Sequence, residues 1–202
     1  ALIGGKANVA EIEEIDISDL LGRDMVPPDA ALLRSSIEGK SIMVTGAGGT
    51  IGSELCRKIL QFNPRRLVLF DNSELALYNI EQELAANDSD TELEFLLGSV
   101  LNKGHLSMVM DDFSIQIVYH AAAYKHVPMV ERNIIEGVRN NVLGTWYVAQ
   151  AANDNHAEKL VLISTDKAVR ATSVMGASKR LAELIIQSFT TQTTDTQYCM
   201  VR

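Results

Sequence analysis

Cysteines, basic runs and long apolar runs are all scarce in this 202-residue chain. The two cysteines, Cys56 and Cys199, have no metal-ligand spacing and read as free thiols of a reducing compartment, and no metal site is expected. No basic tract appears and the formal charge is −8, which argues against non-specific nucleic-acid binding. The longest apolar runs are strand-sized, so nothing here reads as a membrane span. Residues 1–6 show neither the basic start nor the apolar core of a signal peptide.

What is present suits a soluble globular domain with a core of proper size: apolar residues make up 47% and charged residues 22%. Residues 1–38 read as a lead-in. Ile12, Ile15 and Ile17 interleave there with acids, Pro27-Pro28 breaks any helix, and a short helix is expected from Asp29 or Ala30 to Ile37. From Ser41 onward, strand, turn and helix alternate. Strands are expected at 41–45, 66–70, 92–97, 115–120, 159–164 and 197–201. Helices are expected at 51–61, 73–86, 103–112, 138–153 and 176–190. Continuous runs such as LVLF and LVLIS fit strands covered on both faces. The alternation predicts an α/β fold, a doubly wound parallel sheet spanning residues 39–202.

The first turn, TGAGGTIGSEL, places Gly46, Gly49 and Gly52 in a G-x-x-G-x-x-G pattern, with Thr50 and Ile51 opening the helix. A Walker A loop is excluded, since no Gly-Lys-Ser/Thr follows. A tight turn, a bare backbone and a helix start suit a pyrophosphate. Asp71 ends the second strand, where a carboxylate can accept a ribose diol, and Asn72 follows it. That carboxylate would repel a 2′-phosphate, so the expected cofactor is NAD rather than NADP. A glycine turn with a helix-capping Asp71 is the plainer alternative. Ser99 and Val100 end the third strand, where an adenine could rest. Ala121, Ala122 and Ala123 end the fourth, letting a ligand approach the backbone or simply packing tightly.

One further stretch, VLISTDKAVRATSVMGASKR, gathers a carboxylate, hydroxyls and ammonium groups at a strand end. Ser164, Thr165, Asp166 and Lys167 follow one another there, and Met175 and Lys179 lie one helical turn apart. The cluster suggests a reaction centre, although solvated loop charge gives the same pattern.

Together, TGAGGTIGSEL, LFDNSE, HAAAYKHVPMVE, NNVLGT and STDKAVRATSVMGASKR resemble the extended short-chain dehydrogenase/reductases. Within these they look most like the large membrane-anchored UDP-N-acetylglucosamine 4,6-dehydratases of bacterial polysaccharide and glycan biosynthesis. The resemblance implies tightly bound NAD, a UDP-sugar substrate, and an internal redox elimination of water that leaves a 4-keto-6-deoxy sugar. It makes Asp166 the acid at the departing C6 hydroxyl. Lys167 becomes the base at C5, provided burial or a neighbouring cation lowers its pKa. Thr165 would meet the O4 region, Lys179 would hold the nicotinamide ribose, and Asn141, Lys125 and His126 would serve the substrate side.

At the tyrosine position of the family's Y-x-x-x-K stands Met175, whose thioether can neither give nor take a proton. The membrane-anchored subgroup shares that methionine, though a plain core methionine is the alternative. Asp166, or a water ordered by Thr165 and Lys179, then takes the O4 proton, with Tyr124 a further candidate. Ser99 stands where many relatives carry aspartate, and Arg170 either reaches phosphate or faces solvent. The resemblance also implies a C-terminal substrate part largely missing here, a parent anchored on the cytosolic face of the inner membrane, and a homo-oligomer formed through helices near 103–112 and 138–153. An epimerase or reductase of the same family and a non-catalytic NAD-binding module remain as other readings.

Overall fold

A computed structural model describes residues 29–85, 90–192 and 195–202; the lead-in expectations on residues 1–28 lie outside them. Helix α1 (Ala30–Ile37) begins on Asp29, whose Oδ1 accepts the N–H groups of Ala31 and Leu32. Alternating elements follow: β1 (Ser41–Thr45), α2 (Thr50–Leu60), β2 (Arg66–Asp71), α3 (Glu74–Leu84), β3 (Glu92–Leu97), α4 (Lys103–Asp112) and β4 (Ile117–His120). After β4 come α5 (Val127–Arg132), α6 (Ile134–Val138), a π-helical turn (Arg139–Leu143) and α7 (Gly144–Asp154). Strand β5 (Lys159–Ile163), a 3-10 turn (Asp166–Ala168), α8 (Val174–Gln192) and β6 (Gln197–Val201) complete the chain.

All strand pairs are parallel, in the order β3-β2-β1-β4-β5-β6. The expected doubly wound sheet is therefore present. Its chain order reverses between β1 and β4, so a crevice opens at the carboxyl ends of those two strands.

Strand alternation divides the core into two layers. Ile42 and Val44, with Leu67, Leu69 and Ile117, face α1, α2 and α3. Met43, Val68, Phe70, Val118 and Leu160 face α4, α7 and α8. Coverage on both faces explains why β1 is buried along its whole length. Burying a side chain the size of Ile42 is worth roughly 1.5–3 kcal/mol.

Three differences from the sequence expectation bear on the site. Strand β4 starts at Ile117 rather than 115, because Ser114 takes φ +49° and the Ile115 N–H bonds back to Met110 O, closing the end of α4. The helix expected at 138–153 begins at Ile134, and its π turn widens the backbone around Asn141. Helix α5, with Pro128 in its first turn, was not anticipated.

Candidate cofactor and reaction site

The glycine turn sits at the crevice. Gly46 adopts φ +70°, and a Cβ there would lie 2.6 Å from Ala122 N, so the turn packs directly on the backbone leaving β4. A Cβ on Gly52 would lie 2.0 Å from Gly46 O, which seats the start of α2 against the turn. Gly49 caps α2 without a side chain, leaving first-turn amides at Thr50, Ile51 and Gly52 for an anionic ligand. Asp71 is 8% exposed and joins the two loops: Oδ2 accepts from Gly48 N and Oδ1 from Ser73 N, each at 2.9 Å. Each oxygen keeps a lone pair for a further donor such as a diol.

Gly46, Gly48, Gly49, Asp71 and Ser73 border a cavity of about 230 Å³, which Asn72, Gly98, Val100, Ala121, Ala122, Ala123 and Asn140 also line, whereas Thr50, Ile51 and Gly52 do not. Ser99 does not line it; its hydroxyl accepts the Leu101 N–H at 3.2 Å and stabilises the turn beyond β3. A larger open groove of about 850 Å³ continues from Gly49 and Ala123 past Tyr124, Lys125 and His126 to α5 and α6. The two spaces share Gly49, Ser73, Ala123 and Tyr124, so Tyr124 stands where they meet.

Behind that wall runs a chain of buried polar groups. Thr45 Oγ1 lies 2.7 Å from His120 Nδ1, and His120 Nε2 lies 3.0 Å from Thr145 Oγ1. The Thr145 hydroxyl donates its proton to Asn141 O at 2.7 Å, so it must accept from the imidazole, which therefore carries its proton on Nε2. Burial, aided by the Lys179 charge, drives the His120 pKa down to about 3, so the ring stays neutral. Asn141, expected on the substrate side, is instead interior. Its Nδ2 donates to Tyr124 O and Ser178 Oγ, and its Oδ1 accepts from Tyr124 N.

At the end of β5 the structure brings together the polar residues of the 161–180 stretch. The Thr165 hydroxyl donates to Asp166 Oδ1 at 2.9 Å, and Lys167 Nζ lies 3.6 Å from the same oxygen. The Asp166 carboxyl is held below its ordinary range, first by the Thr165 hydrogen bond and then by the Lys167 charge. Both Asp166 and Lys167 are exposed, and the charged neighbour of Lys167 is a carboxylate rather than a cation. A Cβ on Gly176 would meet Lys167 O at 2.4 Å, so α8 begins directly against this turn. Glu131 on α5 accepts the Val174 N–H at 2.6 Å and fastens that same helix start.

Met175 is buried at 2% exposure, one turn before Lys179. Lys179, also buried, donates to Ile163 O at 2.7 Å, and burial lowers its pKa to about 8 against the opposing pull of Glu183. Glu183 is fully buried and accepts from Ser164 Oγ, Arg180 and Arg202. It thereby ties α8 to the exit of β5 and the end of β6. Arg170 is exposed in the loop before α8, with φ +50°. Sequence reasoning missed the side-chain roles of Thr45, His120, Thr145, Ser178 and Glu183. Each is polar at a position that strand or helix periodicity marks as interior, which is the signal that could have found them.

The profile of the family described as "Polysaccharide biosynthesis protein" matches residues 42–202. This chain belongs to that family. A similar relative is the Staphylococcus aureus "Capsular polysaccharide biosynthesis protein CapD", 43% identical over all of this chain but only 34% of its own length. A "UDP-N-acetylglucosamine 4,6-dehydratase (inverting)" from Campylobacter jejuni is 32% identical over 70% of this chain and 41% of its own length. The chain thus spans between about a third and two fifths of these relatives. Among solved structures, "DesIV double mutant (dTDP-glucose 4,6-dehydratase)" from Streptomyces venezuelae, with NAD and DAU bound, superimposes with a TM-score of 0.68. At 20% identity over 77% of this chain and 53% of that one, it shares the extended short-chain dehydrogenase/reductase fold. Among the described residues, no helix is long and apolar enough to cross a membrane.

Proposed function

We propose that this chain is the cofactor-binding half, residues 39–202, of a nucleotide-sugar 4,6-dehydratase that uses NAD and acts on UDP-N-acetylglucosamine. The observation that carries the reading is the Thr165–Asp166–Lys167 turn packed against the start of α8, with Lys179 buried beside the same strand end. The residues lining the cleft fit a dinucleotide. The α2 amides can meet a pyrophosphate, Asp71 can accept a ribose diol and repel a 2′-phosphate, and Lys179 can turn from Ile163 O to the second ribose. When bound, NAD supplies the acceptor and donor of the hydride. The name of the Campylobacter relative supports the substrate, and the ligands named for the Streptomyces structure support the cofactor.

Met175 offers no proton-transfer group, so the O4 proton falls to Asp166, whose carboxyl its neighbours keep ionised. The protonated Asp166 is then the acid that meets the departing C6 hydroxyl. Thr165 orients that carboxyl, and Lys167, once a bound sugar buries it, takes the C5 proton. Lys125 and His126, exposed along the larger groove, can meet the substrate's diphosphate. Self-association through α4 and α7 belongs to the same reading, since Met108 and Trp146 stand exposed on those helices. So does a parent anchored to the membrane by residues upstream, with this domain on its cytosolic face. Incubation of the full-length protein with UDP-N-acetylglucosamine and NAD tests the reading. A 4-keto-6-deoxy product supports it; a C4 epimer, or NAD retained without turnover, overturns it.

A further inference from the structure

The buried polar chain behind the cleft has no part in the chemistry just described, yet it has a fixed direction. Thr45 stands at the end of β1, immediately before the glycine turn, and is 0% exposed; His120, Thr145, Asn141 and Ser178 are each 1% exposed. The carbonyls of Asn141 and Met175 can only accept, and they take the hydroxyl protons of Thr145 and Ser178 at 2.7 Å each. Both hydroxyls must then accept from their other neighbours, the His120 imidazole and the Asn141 amide. Every proton has one destination, from Thr45 through to Met175 O. Asn141 stands in the π-helical turn, a distortion that aims its side chain inward, where it holds both the N–H and the C=O of Tyr124.

We propose that His120 is a positioning residue: through Thr145 and Asn141 it fixes the Tyr124 backbone, and with it the Lys125–His126 wall of the cleft. The proposal rests on the reading that this cleft takes NAD. Fully satisfied buried networks specify one arrangement, whereas a network missing one member leaves an unpaired polar group that drives local opening. The imidazole joins the glycine-turn strand to Thr145, which in turn holds Asn141 O in the π turn. Its rigid ring lets a single side chain accept at Nδ1 and donate at Nε2.

The test uses paired variants. His120→Gln can still reach Thr145 with its amide N–H, whereas His120→Asn can meet only Thr45; Thr145→Ser keeps the hydroxyl that Thr145→Val removes. Amide hydrogen exchange at Tyr124 is followed by NMR, with Val68 in the core as reference, and the affinities for NAD and ADP-ribose are measured in parallel. His120→Asn and Thr145→Val are expected to speed Tyr124 exchange by about tenfold with Val68 unchanged. They are also expected to weaken NAD more than ADP-ribose, while His120→Gln and Thr145→Ser stay near wild type. Folded His120→Asn and Thr145→Val proteins with wild-type Tyr124 exchange would overturn the proposal. If His120→Asn does not fold, the Thr145 pair decides alone. If wild type binds neither NAD nor ADP-ribose, the cofactor reading fails, and Tyr124 exchange still decides the role of His120.

Discussion

Lowering the pH from 7 to 4.5 is expected to destabilise this chain substantially through one ring, that of His120. Burial holds its pKa near 3 in the folded protein, against about 6.5 for a histidine in an unfolded chain. The folded state keeps the ring neutral, so below pH 6.5 the unfolded state binds the extra proton. Stability from this group is complete above pH 6.5, falls as pH drops and levels out near pH 3. One proton corresponds to about 1.4 kcal/mol per pH unit, so at pH 4.5 the loss is on the order of 3 kcal/mol. A domain of this size has a total stability of roughly 5–15 kcal/mol, so the loss is readily measured. Urea unfolding of wild type and His120→Gln at pH 7 and 4.5 isolates the ring, because Glu183 and the other carboxylates cancel in the difference. Wild type should lose on the order of 3 kcal/mol more than the variant over that interval. Parallel losses, within about 0.5 kcal/mol, would show that the ring is not held neutral and would refute the hydrogen-bond chain built on it.

Glu183 provides a second pH signature. Its pKa is lowered to about 2, by Arg202 first and by Ser164 and Arg180 as well, with burial opposing. Its contribution is therefore present above about pH 4.3 and lost as pH falls toward 2. Glu183→Gln should cost about 3 kcal/mol at pH 7 by urea unfolding, since two guanidinium groups lose their shared partner. Gly52→Ala would place a Cβ 2.0 Å from Gly46 O, and calorimetric titration should find NAD affinity reduced by more than about tenfold. Asp71→Asn should weaken NAD while narrowing its advantage over NADP, read by the same titration. Asp166→Asn should stop reduction of bound NAD as well as elimination; unimpaired reduction, followed by absorbance, would remove Asp166 as the O4 base.

Much of the fold was legible because it rests on local pattern. Apolar runs at 42–44, 67–70 and 160–163 mark strands covered on both faces, and the glycines after β1 mark a turn that packs on Ala122. The π turn was not legible, since 138–153 reads as one helix and the widening depends on Thr145, His120 and Tyr124 meeting in space. For the same reason Asn141 looked like a substrate contact; its motif is visible in sequence, its burial is not. Asp166 and Lys167 were identifiable as a pair, but their exposure depends on what lies over them, which sequence spacing does not encode.

The Thr165–Lys167 turn is proposed to perform elimination with an internal hydride transfer. Mass spectrometry and NMR of the product formed from UDP-N-acetylglucosamine in deuterated water, by the protein at its full natural length, test it most directly. The expected product is a 4-keto-6-deoxy sugar with solvent deuterium at C5 and none at C6. Deuterium at C6, or no 4-keto product from an enzyme with NAD bound, would contradict it.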